Sequence, residues 1–392
     1  MSTYKANIWK IYLFQFFTSL HFLGGVLIPF FVDWGGLSFA QILFLQSWFL
    51  FCVFILEIPT GTVADYLGRK HSLILGALFT IIGAVTYTLY ANFYLFMLAE
   101  FLWAVASALI SGADEALLYD TLKKIKKEKE SKKFFARLES VKMVGLMVAA
   151  PLGSLMGVYM SLRAPMFLMA IPFLFAAIIG FTFKEPKTTK KIESKRYLII
   201  LKEGVKYFYK HKALKILALD VMVIASIAYL MIWLYQQILR DVGVGTVYFG
   251  LVHVFLVIGQ LLVMNNYDFF EKLFGSKKRF IFASALITGI SVIVAGLTKF
   301  LPVVLLAMIC ALAFGLGRRP LFASYLNKHI PTSKRATVLS SVSMFRRMFL
   351  IILNPIVGFA VDWSLSYTLI ILGSIAVIFS FISQVKEEHL LD

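Results

Sequence analysis

Apolar residues along this chain come in long blocks separated by short polar joints. They neither alternate as in strands nor recur at the three-to-four spacing of a surface helix. A helix that crosses a bilayer needs about 20 apolar residues. Twelve stretches reach that length: 8–31, 39–63, 71–90, 93–119, 137–160, 163–183, 213–238, 246–269, 279–298, 301–325, 336–360 and 365–385, numbered here as spans 1 to 12. Joints such as Ala91-Asn92 and Ser161-Leu162 leave room only for tight hairpins. The longest polar stretch, Lys184 to Lys212, divides the spans six and six. The pattern predicts an all-α integral membrane protein: a six-helix bundle over 1–183, a linker over 184–212 and a second six-helix bundle over 213–392. Within the linker, Tyr197 to Phe208 mixes apolar and basic positions, which fits an interfacial helix or an ordinary linker with one amphipathic turn.

Composition agrees. The 392 residues are 60% hydrophobic and only 15% charged, with mean hydropathy +0.83. A soluble domain is about half apolar and a quarter charged, so soluble enzymes and disordered scaffolds are excluded. The net charge of +18 would suggest nucleic acid in a soluble protein. Here its placement gives another meaning. With the N-terminus inside, 31 of the 39 Lys and Arg fall in cytoplasmic segments, and three (Arg163, Arg240 and Lys299) fall outside. That bias predicts cytoplasmic N- and C-termini and an even number of crossings, and it accounts for the charge without a nucleic-acid partner. The basic run Lys123 to Lys133 reads as a solvated loop near an anionic leaflet. The first apolar block has no cleavage site after it and is read as a retained helix. Cys52 and Cys310 lie inside apolar blocks and read as small buried hydrophobes. No phosphate-binding loop, H-E-x-x-H or C-x-x-C occurs. We therefore expect no ATP drive, no metal, no cofactor and no enzymatic activity.

The two halves echo each other. Span 5 carries Lys142 nine residues before Pro151, and span 11 carries Arg346 nine residues before Pro355. The joint Asp65-Tyr-Leu-Gly68-Arg69-Lys70 is matched between spans 8 and 9 by Lys272-Leu-Phe-Gly275-Ser-Lys277. These echoes point to a duplicated unit and two pseudo-symmetric bundles.

Gly61-Thr-Val-Ala-Asp65-Tyr-Leu-Gly68-Arg69-Lys70, between spans 2 and 3, resembles the signature loop of the major facilitator superfamily of secondary transporters. Gly61 and Gly68 permit a tight turn and close helix approach, and a carboxylate at Asp65 complements the positive end of a neighbouring helix. The resemblance implies that this neighbour is span 11, which starts near Lys334-Arg335-Ala336. It also implies that Arg69 reaches Asp120 at the end of span 4, and that Gly61, Asp65, Gly68, Arg69, Lys70 and Asp120 form a conformational latch. Ala150-Pro151-Leu-Gly153-Ser154-Leu-Met-Gly157 partly resembles the span-5 element of drug/proton antiporters. Glu100 stands where many members of the family carry an arginine. The family further implies a monomeric, multi-pass protein of a prokaryotic cell membrane, moving protons and a small molecule across the lipid bilayer.

Ionisable groups at membrane depth are costly and point to function. The first half carries Glu57, Glu100, Asp114 and Glu115; the second carries Arg318, Arg319, Arg346 and Arg347. A carboxylate in a poorly hydrated site can load and release a proton, so the four acids are proton-coupling candidates. The same groups would also serve as inter-helix ion pairs that hold the bundles. The guanidinium fork suits carboxylate or phosphate, so the four arginines are substrate-binding candidates. His21, Tyr229, Trp233 and Gln236 join them as polar or aromatic groups on helices that form the cavity in this family, with Tyr235, Gln237, His253 and Asp220 behind. The expected function is secondary transport by alternating access: proton-coupled export of amphipathic organic compounds. The alternatives are uptake or exchange of an organic anion or lipid-like molecule, or a non-transporting receptor or scaffold.

Overall fold

The computed structural model describes residues 2–186, 205–331 and 335–390. Regular structure among the described residues is helical throughout. Among the described residues eleven helices are long and apolar enough to cross a membrane, where the sequence predicts twelve. The exception is span 1. Its helix Ser2–Thr18 is 17 residues long and stops at Ser19, after which the chain continues through short turns at Phe22–Gly25, Leu27–Pro29 and Phe30–Trp34. The interfacial helix expected from Tyr197 lies largely outside the described residues; 205–210 is helical.

Lipid, not water, surrounds such a bundle, so large apolar side chains point outward and polar ones are sequestered. Ile82, Ile171, Ile352, Phe359 and Ile378 are exposed, whereas Ser154, Ser284, Thr288 and Asn354 are fully buried. Packing then depends on small residues that let backbones approach. Span 5 (Ser131–Tyr159) shows this. A Cβ on its Gly153 would stand 1.7 Å from the Phe22 carbonyl oxygen, and one on Gly157 would stand 2.6 Å from Val26. The broken stretch of span 1 is laid into this small-residue face.

Other interruptions fall at informative places. Span 4 is two helices, Phe93–Ile110 and Ala113–Lys124, joined at Ser111-Gly112. Gly112 has φ +76°, a left-handed turn that a residue with a Cβ adopts only under strain. Span 10 is likewise divided, into Leu301–Gly317 and Arg319–Lys328, at Arg318. Spans 5 and 11 each carry a proline inside the helix, Pro151 and Pro355. The paired joints also agree: Gly68 has φ +93° and Gly275 φ +84°.

The packing divides the chain into two units: Met1–Leu37, Leu45–Ser194 and Thr246–His253 in the first, and Ser38–Phe44, Lys195–Gly245 and Val254–Asp392 in the second. In the first unit, Ser154 Oγ donates to the Gly25 carbonyl at 2.9 Å and accepts from the Gly250 amide at 2.8 Å. In the second, the Asp362 carboxylate accepts from Phe39 N at 2.7 Å and from Ala40 N at 2.9 Å. These are the first amides of span 2 (Phe39–Leu67), where a helix end favours an anion. Asp362→Asn removes that anion, whose residue is exposed, from the helix end and is expected to lower stability by about 0.5–1 kcal/mol. Thermal unfolding in detergent at low and high salt tests this: salt should shrink the difference between wild type and variant.

Candidate functional site

The interruption in span 4 creates a helix N-terminus within the membrane span, and the first turn of Ala113–Lys124 carries Asp114 and Glu115. The break in span 1 leaves Ser19 and His21 beside a cavity of about 400 Å3 in the first unit, lined among others by Gln15, His21, Trp103, Asp114, Glu115 and Lys142. Two residues of this constellation, Gln15 and Lys142, were not singled out as site residues from sequence. Gln15 Nε2 donates to Asp114 Oδ2 at 2.5 Å, and Lys142 Nζ lies 3.4 Å from the same oxygen. Lys142 also donates to Glu139 Oε1 at 3.0 Å. Asp114 is 5% exposed, while its neighbour Glu115 is exposed towards the cavity. Successive residues on a helix diverge by about 100°, and the pair is divided accordingly: Asp114 is held by partners and Glu115 faces open space. His21 stacks edge-on against Phe173, ring centroids 5.4 Å apart.

Glu100 is elsewhere. It is 2% exposed, accepts from Gln46 Nε2 at 3.0 Å and does not line this cavity. The side chains of Glu57, Gly61 and Asp65 lie outside the described residues, as do those of Lys334, Arg335 and Ala336 at the start of span 11. The rest of the signature loop is described. Arg69 forms an ion pair with Asp120 and donates to the Ala116 carbonyl at 2.6 Å. Lys70 Nζ donates to the Phe181 carbonyl at 2.6 Å. A further acid, Glu185, takes the amides of Arg69 at 2.5 Å and Lys70 at 3.3 Å, capping the start of span 3 (Arg69–Leu89). A Cβ on Gly68 would meet the Glu185 carboxylate at 2.5 Å, so this glycine serves both the turn and its cap. The signal for Glu185 in the sequence is its position, the acid nearest the end of span 6 in a predominantly basic linker.

In the second unit the four arginines separate. Arg346 lies within electrostatic range of Arg319, Arg347 and Tyr229. No carboxylate among the described residues pairs with Arg319 or Arg346. Arg318 leaves this group. It is fully buried, forms an ion pair with Asp220, and lies with its guanidinium carbon 4.6 Å from the centre of the Phe322 ring. Ser383 Oγ donates to the other Asp220 oxygen at 2.6 Å. Sequence reasoning had placed Arg318 with the substrate-binding arginines and Asp220 among the weaker cavity candidates; packing makes them one buried ionic contact. Trp233 is 9% exposed and Gln236 fully buried, with Gln236 Nε2 donating to the Tyr235 hydroxyl at 2.8 Å. Tyr229, half-buried, is the span-7 aromatic that stays with the arginines.

Among the described residues no group of three or more His, Cys, Asp or Glu is placed to hold a metal ion. The geometry offers a carboxylate whose attachment to a cation can be made or broken, and a separate concentration of guanidinium groups.

No curated protein matches the sequence significantly. Solved structures match its fold over nearly the whole chain. The nucleoside transporter NupG is 15% identical, with 98% of this chain and 100% of that one covered and a TM-score of 0.76. A D-xylose–proton symporter is 14% identical, with 98% of each chain covered and a TM-score of 0.73. A bacterial homologue of the human lysosomal transporter Spinster, in an inward-facing and occupied conformation, is 15% identical, with 99% of this chain and 98% of that one covered and a TM-score of 0.72. The family profile described as Major Facilitator Superfamily matches residues 11–347. With its membrane-spanning helices and this match, the chain belongs to the major facilitator superfamily and is a multi-pass membrane transporter rather than an enzyme.

Proposed function

We propose that this transporter moves an organic anion by alternating access, coupled to protons, with both termini cytoplasmic. The observation that carries the reading is the distribution of charge at membrane depth. Asp114 is held by Gln15 and Lys142 in one unit, and Arg319, Arg346 and Arg347 gather in the other. Like charges in a medium of low dielectric repel, and a carboxylate or phosphate between guanidinium groups offsets that repulsion. Protonation of Asp114 removes its attraction for Lys142, which retains Glu139 and has Glu115 in the same cavity. A proton at Asp114 thus changes the pairing of Lys142, and a pairing that differs between two conformations shifts their populations. One of the similar folds is that of a D-xylose–proton symporter, so the architecture is compatible with proton coupling.

Export of amphipathic compounds rests on the family resemblance and the partial span-5 element. In this chain the glycines of that element, Gly153 and Gly157, are occupied with packing against Phe22 and Val26, which leaves the anion reading better supported. In proteoliposomes containing a pH-sensitive dye, one or more members of a panel of carboxylates and phosphate monoesters should move protons across the membrane. Asp114→Asn should abolish that proton movement while retaining anion counterflow, and Arg346→Gln should raise the half-saturating anion concentration at least tenfold, about 1.4 kcal/mol. Proton movement driven by uncharged or cationic amphipaths and by none of the anions would overturn the reading.

A further inference from the structure

A basic groove at the start of span 7 has no part in the mechanism above. Span 7 is the helix Lys212–Asp241. Its first turns carry Lys212 and Lys215, and Lys210 precedes them. The same face continues inward as Ile216 and Leu219, because positions 212, 215, 216 and 219 fall on one side of a helix. At 1.5 Å per residue, Leu219 lies about 10 Å deeper than Lys212. The end of span 12 (Leu365–Ile382) runs alongside, and Phe379, Ile382 and Ser383 complete a groove of about 640 Å3 within the second unit. Its mouth is basic and its wall apolar.

Both parts are open to the surroundings. Leu219 is 53% exposed and Ile382 64% exposed, and the three lysines are exposed. None of the three lysines pairs with a carboxylate among the described residues. Lys212 and Lys386 both act on nearby His389, as does Glu388, which pairs with Lys386 at 3.5 Å. Burial, chiefly, holds the His389 imidazole below its ordinary value, and the Glu388 carboxylate acts in the opposite direction. The rim is anchored: Ser383 is bonded to Asp220 at 2.6 Å.

We propose that this groove binds one anionic phospholipid, with its phosphate among Lys210, Lys212 and Lys215 and its acyl chains along Leu219, Phe379 and Ile382. A soluble anion would satisfy the lysines but leave the outward-facing wall uncovered. A zwitterionic lipid would cover the wall but bring no net charge to three cations. A lipid with an anionic headgroup matches both, as basic clusters at a membrane interface do in general.

The full-length protein, purified in detergent and freed of lipid, tests this by native mass spectrometry and thermal unfolding with phosphatidylglycerol, phosphatidylcholine or glycerol phosphate added. Phosphatidylglycerol should be retained and should raise Tm by several degrees, as a ligand selective for the folded state does. Phosphatidylcholine and glycerol phosphate should each do much less. The triple variant K210Q/K212Q/K215Q should lose more than half of the retained lipid and of the Tm shift. A control triple variant in the other basic run, K123Q/K124Q/K126Q, should keep both. Leu219→Ser should weaken retention without altering the charge. The proposal fails if the span-7 variant keeps the full shift, if both triple variants lose it equally, if phosphatidylcholine serves as well, or if glycerol phosphate alone reproduces the effect.

Discussion

Arg318→Met is expected to destabilise the protein by about 3–5 kcal/mol, because it leaves the Asp220 carboxylate buried without its cation. Asp220 is 2% exposed and Arg318 is fully buried. After the substitution Asp220 would keep only the Ser383 hydroxyl among its described hydrogen-bond partners. Asp220→Leu should be as damaging, since the guanidinium would then face only the Phe322 ring. The double variant Arg318→Met with Asp220→Leu removes both charges and should recover most of the loss. The pair is imperfectly satisfied in any case: Arg318 Nε and Nη1 are buried and have no hydrogen-bond partner among the described residues. Unfolding of the four proteins in detergent gives the coupling directly. A double variant as unstable as either single one would mean that the pair does more than neutralise itself. Anion flux should survive in the double variant, because Arg318 stands apart from Arg319 and Arg346.

Gly153→Leu should prevent accumulation of folded protein. Its Cβ alone would lie 1.7 Å from the Phe22 carbonyl oxygen and 2.7 Å from its carbonyl carbon, and these are backbone atoms that cannot rotate away. Relief requires span 1 to leave span 5, which also separates Gly25 from the Ser154 hydroxyl that bonds it. Gly24→Ala is the contrasting case. A Cβ there has only the Ala150 Cβ at 3.9 Å, an ordinary contact, and the variant should behave as wild type. Expression and monodispersity on size-exclusion chromatography separate the two. Equal tolerance of both would show that span 1 does not depend on this packing.

The helical spans were legible because bilayer crossing imposes a length and an apolar character on each helix, and both are local properties of the sequence. Span 1 departs from this rule: Gly24-Gly25 and Pro29 are local traces of the interruption, and the small-residue face of span 5 accepts the broken backbone around Phe22. The interruption of span 4 had a local trace in Gly112, but a glycine in an apolar block usually continues the helix. The loop at Gly68-Arg69-Lys70 was readable by its motif, and its paired Gly275 by the repeat. Glu185 carried too little pattern to be assigned as the cap that the start of span 3 needs.

The candidate site divides in the same way. Sequence identified which ionisable groups lie at membrane depth, because the cost of burying charge makes each one conspicuous whatever its surroundings. It could not apportion them. Asp114 and Glu115 are adjacent, as are Arg318 and Arg319, and in each pair the helix turns the two side chains in different directions. Partners more than 20 positions away then decide the outcome. Asp220 pairs with Arg318 in the interior, Gln15 and Lys142 hold Asp114, and Gln46 bonds Glu100, which does not line the cavity. The family, the helical architecture and the list of charges belonged to the sequence; the pairing of those charges belonged to tertiary structure, because hydropathy is a property of one segment and an ion pair is a property of two.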